Sequence, residues 1–377
     1  MHVLFYDDYH DVGGHEVMTM HAVRHLARKH SVTCIVYEHN TRLLAILADM
    51  QQKTSNLSVI ASPYRSRRLQ ECRSILDVRA HLHIRNKMRQ ARPDVVVVAQ
   101  GRIELSTLGL LAGKTAGLPV VSYLPMAHPL RIAGTRFGSC IREQVDSIHY
   151  QLPRRFVTCT ESARKTIESR NRRAKVVVVP NGLDYHALSV RPKAEARAAL
   201  GIPIDRYVVT VVGRVDYRQK GQDIILSTLR EHTLPEDCHF LVVGDGPCAA
   251  DFRNRAGRGD LLEKITLLPW SKDMSAIYGA TDMVAIPSRY EGYPLVLLEA
   301  MYHRLPIIGS RVDAMADVLP EDWLFAVGDA RGFTEALNRA RRSDGVVLSR
   351  NREQVVRHHS LERFGAEFEK AVADAIG

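Results

Sequence analysis

The stretch that decides the fold runs from Met283 to Met301 and reads MVAIPSRYEGYPLVLLEAM. It opens with a short apolar run that ends in a proline, which is typical of a strand buried on both faces of a parallel sheet. The segment after Pro294 is apolar and leucine-rich, and a proline is well tolerated in the first turn of a helix. The stretch therefore predicts a strand, a polar loop and a helix, the unit from which doubly wound α/β domains are built.

The same alternation of strand and helix runs along the whole chain. Helical patterns of about 10–15 residues separate most of the strand-like runs. In the first half these runs are HVLFYD from His2, VTCIVYE from Val32, LSVIASP from Leu57, DVVVVAQ from Asp94, PVVSYLP from Pro119, FVTCT from Phe156 and KVVVVP from Lys175. In the second half they are YVVTVVG from Tyr207, HFLVVGDG from His239, ITLLPW from Ile265, MVAIPS from Met283, LPIIGS from Leu305 and LFAVGD from Leu324. The pattern predicts two doubly wound domains, joined between Asn181 and Arg206 around a short alanine-rich helix.

Length and composition are those of a globular protein with two or three domains. The chain has 377 residues, of which 45% are apolar and 25% charged. No run approaches the ~18 apolar residues of a membrane-spanning helix, and the acidic N-terminus, with Asp7, Asp8 and Asp11, does not resemble a secretory signal. Six cysteines without a Cys-x-x-Cys pair suit no zinc site and predict reduced thiols in a cytoplasmic compartment.

Charge is unevenly distributed between the two halves. Residues 1–180 hold 27 Lys and Arg against 14 Asp and Glu, whereas residues 181–377 hold 25 against 28. Between Tyr64 and Arg92 there are nine basic and two acidic residues, with Ile75, Val78 and Leu82 at helical spacing. Such a stretch is either an ordinary surface helix packed on its sheet or a basic amphipathic helix that contacts an anionic membrane.

Candidate binding residues follow the strands of the first half. Gly13 and Gly14 come after the first strand, at a turn into a helix, where free amide groups favour an anion. His128 follows the strand from Pro119 and could donate to an oxygen or stabilise developing charge. Tight-turn glycines are often purely structural, and a histidine is often a surface or core residue, so neither signal is specific by itself.

Further candidates follow the strands of the second half. Arg214 and Lys220 lie on one post-strand loop and could neutralise a diphosphate. Gly244 begins a Gly-x-Gly motif that partly matches a dinucleotide fingerprint, although no ribose-binding acid ends the next strand. A nucleotide-linked dehydrogenase is therefore one alternative function.

The deciding stretch carries two glutamates at different depths. Glu291 lies on the loop before the helix and Glu299 about one turn inside it. The amides of Leu295 and Val296 are expected to be unpaired at the helix N-terminus, where they can hold a phosphate. Carboxylates at two depths along one helix suit hydroxyl groups on either side of a phosphate, although two exposed glutamates on a surface helix are also common.

Five motifs in this order resemble the retaining GT-B glycosyltransferases of family 4. They are the glycine pair at Gly13, PNGLD from Pro180, GRVDYRQKG from Gly213, VVGDGP from Val242 and the block from Pro287 to Met301. The resemblance implies two Rossmann-like domains facing across a cleft. Residues 1–185 would bind the acceptor, residues 186–360 would bind the donor, and a helix over 361–377 would cross back onto the first domain. That helix places Leu361, Phe364, Phe368 and Val372 on one face.

The resemblance also implies roles for individual residues. Glu291 would bind the reacting sugar, Arg214 and Lys220 would hold the diphosphate, and His128 would lie near the sugar. Glu299 would bind the ribose. The remaining donor contacts would come from Gly13, Gly14, Gly244, Trp270, Ser271, Met274, Gly292, Tyr293, Pro294, Leu295 and Val296. Three positions depart from the common family pattern: Arg304 and Asp313 stand where a glycine is usual, and Asp317 where a glutamate is usual.

The implied reaction moves a sugar from a nucleoside diphosphate to an acceptor hydroxyl with retention of configuration, in bacterial polysaccharide or glycolipid synthesis. Cations and amides would stabilise the leaving diphosphate. No cofactor and no metal are expected, because the sequence contains no Asp-x-Asp. Expected partners are the nucleotide-sugar donor, a sugar or lipid-linked acceptor and an anionic membrane surface at the inner face.

Other functions fit the sequence less well. A nucleic-acid binder would interleave aromatic residues with its basic ones, and aromatic residues make up only 6% here. A zinc hydrolase would need a histidine where Thr19 stands. A GT-B relative that binds or epimerises nucleotide sugars without an acceptor remains the alternative that keeps the same pocket.

Overall fold

The computed structural model describes residues 1–128, 139–231, 234–257, 259–271 and 273–377. The chain forms two units, one of Met1–Gly182 with Leu361–Gly377 and one of Leu183–Ser360. The described cysteine side chains, at positions 34, 72, 159, 238 and 248, are free thiols. None of the helices in the described parts of the chain combines the length and hydropathy needed to cross a membrane.

The first unit is built on a parallel sheet. Its strands are β1 (His2–Asp7), β2 (Ser31–Tyr37), β3 (Leu57–Ser62), β4 (Val95–Ala99), β5 (Val120–Tyr123), β6 (Arg155–Thr158) and β7 (Val176–Val178). In the described residues they pair in the order β3-β2-β1-β4-β5-β6-β7. Strands β1 and β4 are almost wholly buried, because helices cover both faces of the sheet.

Helices of the first unit connect successive strands. They are α1 (Gly14–Leu26), α2 (Thr41–Lys53), α3 (Gln70–Leu76), α4 (Val78–Ala91), α5 (Thr107–Thr115), α6 (Ser139–His149) and α7 (Glu161–Arg170). The basic stretch that was expected to form one helix forms two, α3 and α4. The break falls at Asp77, whose carboxylate caps α4 by accepting from the amide of Ala80 at 3.0 Å.

The second unit repeats this architecture. Its strands are β8 (Tyr207–Val212), β9 (Cys238–Val243), β10 (Ile265–Leu268), β11 (Met283–Ile286), β12 (Ile307–Ser310) and β13 (Leu324–Phe325). Among the described residues they pair, all parallel, in the order β10-β9-β8-β11-β12-β13. The strand-like runs predicted from the sequence are thus confirmed as strands.

Helices of the second unit lie between and after its strands. They are α8 (Lys193–Leu200), α9 (Asp223–Arg230), α10 (Ala249–Ala256), α11 (Met274–Ala280), α12 (Leu295–Tyr302), α13 (Asp313–Val318), α14 (Ala330–Ala340) and α15 (Gly345–His358). Short 3-10 turns lie at Tyr185–Ala187, Gly259–Lys264 and Glu321–Trp323. Strand β13 is shorter than the predicted run, because the chain turns after Phe325 and the amide of Asp329 donates to the carbonyl of Ala326 at 3.1 Å.

The C-terminal helix, α16 (Leu361–Ala373), belongs to the first unit and packs against α1. Phe364, Phe368 and Val372 are buried as predicted, whereas Leu361 is only half-buried. Glu369 of this helix accepts hydrogen bonds from two histidines of the α1 region, His25 at 2.9 Å and His30 at 2.8 Å. Apolar burial and the hydrogen bonds to these histidines therefore both fix α16 to the first unit.

Candidate active site

The loops that follow β8 and β11 lie where the strand order of the second sheet reverses. Strands β8 and β11 are neighbours, and their connections run to opposite sides of the sheet. In open α/β sheets, ligands bind at this switch point, beyond the carboxyl ends of the strands. Arg214 and Lys220 follow β8, and Glu291 follows β11, so the topology brings the predicted cations and carboxylate to one edge.

A lysine and a glutamate from these two loops are in contact. The Nζ atom of Lys220 donates to Oε1 of Glu291. The hydroxyl of Ser288 donates to the same oxygen at 2.7 Å. The Glu291 residue is only 5% exposed, so its carboxylate is held by a cation and a hydroxyl at a site shielded from bulk water. Ser288 was not predicted from the sequence.

Close backbone contact explains why the two loops meet. Gly221 has a φ of +65°, and a Cβ at that position would lie 2.1 Å from the carbonyl oxygen of Pro287. The amide of Arg289 donates to the carbonyl of Gln219 at 2.7 Å. A residue with a side chain could not fit at Gly221 without moving the loop that carries Glu291.

Arg214 is held by its own loop. Its guanidinium donates to the side chain of Gln219 at 2.8 Å and lies 3.6 Å from the carboxylate of Asp216. The side chain remains 46% exposed, so it is oriented yet accessible to a ligand. Gly244 lies against this loop: it has a φ of +147°, and a Cβ there would be 2.1 Å from the carbonyl oxygen of Gly213.

The helix N-terminus after Glu291 lies one residue later than predicted. Pro294 is the N-cap of α12, with an extended ψ of 130°, and Leu295 is the first helical residue. The proline side chain cannot accept a hydrogen bond, so it does not cap the amides of Leu295 and Val296. Just before the helix, the hydroxyl of Tyr293, next to Gly292, lies 3.3 Å from Nε2 of His359.

Glu299 is paired with a tyrosine that was not singled out from the sequence. Tyr278 lies on α11, and its hydroxyl donates to Oε2 of Glu299. Burial raises the pKa of the Glu299 carboxyl, and the hydrogen bond from Tyr278 opposes that rise. Burial and the nearby carboxylate together raise the pKa of Tyr278. The pair therefore joins α11 to α12 through a hydrogen bond.

The segment from Trp270 to Met274, which was predicted to contribute donor contacts, is partly exposed. Trp270 is 56% exposed, and its amide donates to the carboxylate of Asp245 at 3.0 Å. The hydroxyl of Ser271 accepts from the amide of Asp273 at 3.0 Å. Met274 begins α11 and packs against the core of the second unit. Lys272, which lies within this segment, is outside the described residues.

The glycine pair of the first unit begins α1. Gly13 is the N-cap and Gly14 the first helical residue, and the carboxylate of Glu16 accepts from the Gly13 amide at 2.7 Å. Asp7, His15 and Glu16 have ligand-type atoms within 4.8 Å of one another and could hold a metal ion. The Nε2 atom of His15 already lies 2.8 Å from Oε1 of Glu16, a contact that becomes an ion pair when the histidine is protonated.

His128 lines a small cavity of the first unit among ionisable side chains. The cavity is also lined by Glu143, Asp146 and Arg170. Burial, reinforced by the charges of nearby glutamates, raises the pKa of Asp146 to about 8. The histidine thus lies beside a carboxyl group that the sequence did not single out. Pro129, which follows it, lies outside the described residues.

The solved structures with a similar fold define the class. HepE of Anabaena, crystallised in complex with UDP-glucose, matches with a TM-score of 0.81 at 15% identity, over 99% of this chain and 100% of that chain. The fold is GT-B, with two Rossmann-like units, as predicted.

The sequence then gives the family. Residues 12–186 match the model of Glycosyltransferase Family 4, and residues 206–342 match that of Glycosyl transferases group 1. The chain belongs to this family of glycosyltransferases. It is 27% identical over 299 residues to the UDP-Gal:alpha-D-GlcNAc-diphosphoundecaprenol alpha-1,3-galactosyltransferase of Escherichia coli. The matched region covers 74% of each chain. It is also 31% identical over 164 residues to a D-inositol 3-phosphate glycosyltransferase of Segniliparus rotundus, covering 40% of this chain and 36% of the relative.

Proposed function

We propose that this glycosyltransferase moves a hexose from a nucleoside diphosphate to an acceptor hydroxyl and retains the anomeric configuration. The observation that carries the proposal is the contact of Lys220 with Glu291 at the switch point of the second sheet, beside the N-terminus of α12. A cation, a carboxylate and helix-end amides at one edge suit a sugar joined to a diphosphate. The second unit would therefore hold the donor.

The comparisons support a uridine diphosphate sugar as donor and a lipid-linked sugar as acceptor. HepE was crystallised with UDP-glucose, and the Escherichia coli relative is named for UDP-galactose and a diphosphoundecaprenol-linked acceptor. The first unit, which carries His128, would bind the acceptor. The product would enter a bacterial surface polysaccharide or glycolipid.

The proposed chemistry places charge stabilisation on the leaving group. The bond between the anomeric carbon and the diphosphate oxygen breaks, and the acceptor oxygen bonds to the same face of that carbon. The acceptor proton goes to the leaving phosphate. Arg214, Lys220 and the amides of Leu295 and Val296 would stabilise the charge that collects on this phosphate. Detection of a covalent glycosyl-enzyme adduct would contradict this route.

Donor binding tests the proposal directly. Thermal unfolding is measured with UDP, GDP, ADP, CMP and dTDP, and then with the matching sugars. UDP at about 100 times its dissociation constant is expected to stabilise the protein by about 2.7 kcal/mol. The shift should be lost in Arg214→Ala and kept in the control Arg331→Ala, an exposed arginine of the same unit. A shift that survives Arg214→Ala would place the nucleotide elsewhere.

Product analysis separates transfer from the alternative function. With UDP-sugar and a lipid-linked acceptor, the expected product carries the sugar in the anomeric configuration of the donor, as read by proton NMR. Release of an epimerised nucleotide sugar, or tight donor binding with no product in the presence of acceptor, would favour the non-transferring relative.

The first unit also carries a surface that fits an anionic membrane. Five apolar side chains at the α3–α4 junction are exposed and form what we term the α3–α4 patch: Leu69, Ile75, Leu76, Val78 and Leu82. Exposed arginines surround them in the sequence: Arg65, Arg67, Arg68, Arg73 and Arg79. Helix α4 buries a different set, Ala80, Ile84 and Met88. The stripe noted in the sequence is thus not used for packing on the sheet, and we propose that it contacts anionic lipid.

Vesicle binding is expected to depend on this patch. The protein should bind vesicles containing phosphatidylglycerol in a salt-sensitive way, because basic residues supply part of the attraction. The double variant Leu76→Ser/Val78→Ser should bind at least about tenfold more weakly. Val346→Ser, which changes an equally exposed apolar residue of the second unit, is the matched control. Equal binding to neutral and anionic vesicles in a sedimentation assay would contradict the proposal.

A further inference from the structure

Asp313 adopts a backbone conformation that normally selects glycine. It is the first residue of α13 and has a φ of +47°. Left-handed backbone is costly for residues with a Cβ, and aspartate and asparagine are the ones that tolerate it best. A glycine is usual at this position in the family pattern, whereas this chain has a carboxylate there.

The added carboxylate contacts the loop of Glu291. Its Oδ2 atom accepts a hydrogen bond from the Glu291 amide at 2.8 Å. This bond joins the loop after β12 to the loop after β11, across neighbouring strands. The side chain of Glu291 is held separately by Lys220 and Ser288. Backbone and side chain of the same glutamate are thus fixed from different directions.

We propose that Asp313 is a positioning residue that fixes the main chain of Glu291 for the transfer step. A glycine at 313 has no group that could accept the Glu291 amide. Glu291 lies on a loop, and small displacements of a group near the reacting atoms strongly reduce the reaction rate. The inference rests on the proposed function of Glu291 in holding the donor sugar.

The conservative and the family-like substitutions separate positioning from simple stability. Asp313→Gly removes the acceptor and also relieves the left-handed backbone, two effects of opposite sign on stability, so its melting temperature should change little. Its kcat is expected to fall about tenfold, with little change in the KM for donor. Asp313→Asn keeps a carbonyl oxygen for the Glu291 amide and tolerates the same φ, so its kcat should stay within about threefold.

A second left-handed residue supplies the matched control. Arg304 has a φ of +57° and also stands where the family has glycine. It closes α12 in a Schellman motif, with Arg304 donating to Met301 at 3.1 Å and Leu305 to Ala300 at 3.0 Å. Arg304→Gly should relieve its backbone in the same way and leave kcat unchanged.

Two results would overturn the inference. One is an unaltered kcat in Asp313→Gly. The other is a kcat in Asp313→Asn as low as in Asp313→Gly, because that would assign the effect to charge and not to the hydrogen bond. The Glu291→Gln variant is assayed in parallel. If Glu291→Gln loses activity while Asp313→Gly does not, only the positioning role fails; if Glu291→Gln is fully active, the proposed role of Glu291 itself fails.

Discussion

Glu291→Gln is expected to lower kcat by about 10²–10³-fold, the size of effect seen when one preorganised electrostatic group is removed from an active site. The glutamine has nearly the same shape as glutamate, so the loop keeps its packing. The change removes the negative charge that Lys220 contacts. It therefore alters the proposed sugar-binding group and also leaves a cation without its partner.

The pairing of these residues makes their effects interdependent. Lys220→Met should also reduce kcat, and it leaves the carboxylate of Glu291 buried beside an apolar side chain. Because the two side chains touch, the effects of the two changes on kcat should not be independent. The kcat of the double variant Lys220→Met/Glu291→Gln should fall much less than the product of the two single reductions predicts. Transfer rates at saturating donor, together with the melting temperature of each variant, measure this coupling.

An exposed glutamate provides the control for the first prediction. Glu335 lies on α14 and forms ion pairs with Arg331 and Arg339, yet it is half exposed. Exposed pairs of this kind contribute little to stability, so Glu335→Gln should retain the unaltered kcat. A Glu291→Gln variant with more than a third of the original kcat would mean that Glu291 does not act at the reacting sugar.

Much of the fold could be predicted because its strands are buried on both faces. A run such as Val95–Val98 contains no polar side chain that could face water on either side of the sheet. It therefore lies in a sheet that is covered on both faces. The run from Leu324 was predicted less accurately: it forms an edge strand that ends after Phe325, where a turn replaces pairing. Edge strands carry weaker signals because only one neighbour fixes their length.

The site could be predicted only in part, and the missing residues share a cause. Lys220 and Glu291 are 71 positions apart and meet because β8 and β11 are neighbours. Their motifs were visible separately, but Ser288, Tyr278 and Asp146 contribute through contacts that depend on the folded chain. Asp313 was noticed as a departure from the family pattern, and only its φ and its bond to the Glu291 amide show what it does.

Glu299→Gln is expected to weaken donor binding and to stabilise the fold, two effects of opposite direction. The carboxylate is the proposed acceptor for the ribose hydroxyls, and a hydrogen bond to a charged group contributes about 1.5–3 kcal/mol. The dissociation constant for UDP should therefore rise by roughly 10- to 150-fold. Glutamine can still accept from Tyr278, so the local packing is retained.

The stability effect follows from the raised pKa of Glu299. Between the ordinary glutamate pKa and the raised value, the folded protein binds more protons at this group than the unfolded chain does. The free energy of unfolding therefore falls as the pH rises through that window. Glu299→Gln removes this pH-dependent loss of stability. The free energy of unfolding of the variant should therefore exceed that of the unaltered protein only slightly at acidic pH and most above the window.

Denaturant unfolding as a function of pH and UDP titration by calorimetry measure the two effects on the same samples. Glu353, an exposed glutamate of α15 paired with Arg357, provides the control, and Glu353→Gln should change neither quantity. A variant Glu299→Gln that loses both stability and UDP affinity would indicate a structural role for this carboxylate. A stabilised variant that binds UDP as tightly as before would remove Glu299 from the donor site. Only weaker binding by a protein at least as stable identifies this buried carboxylate as a ligand contact, because a structural defect cannot raise stability while it abolishes binding.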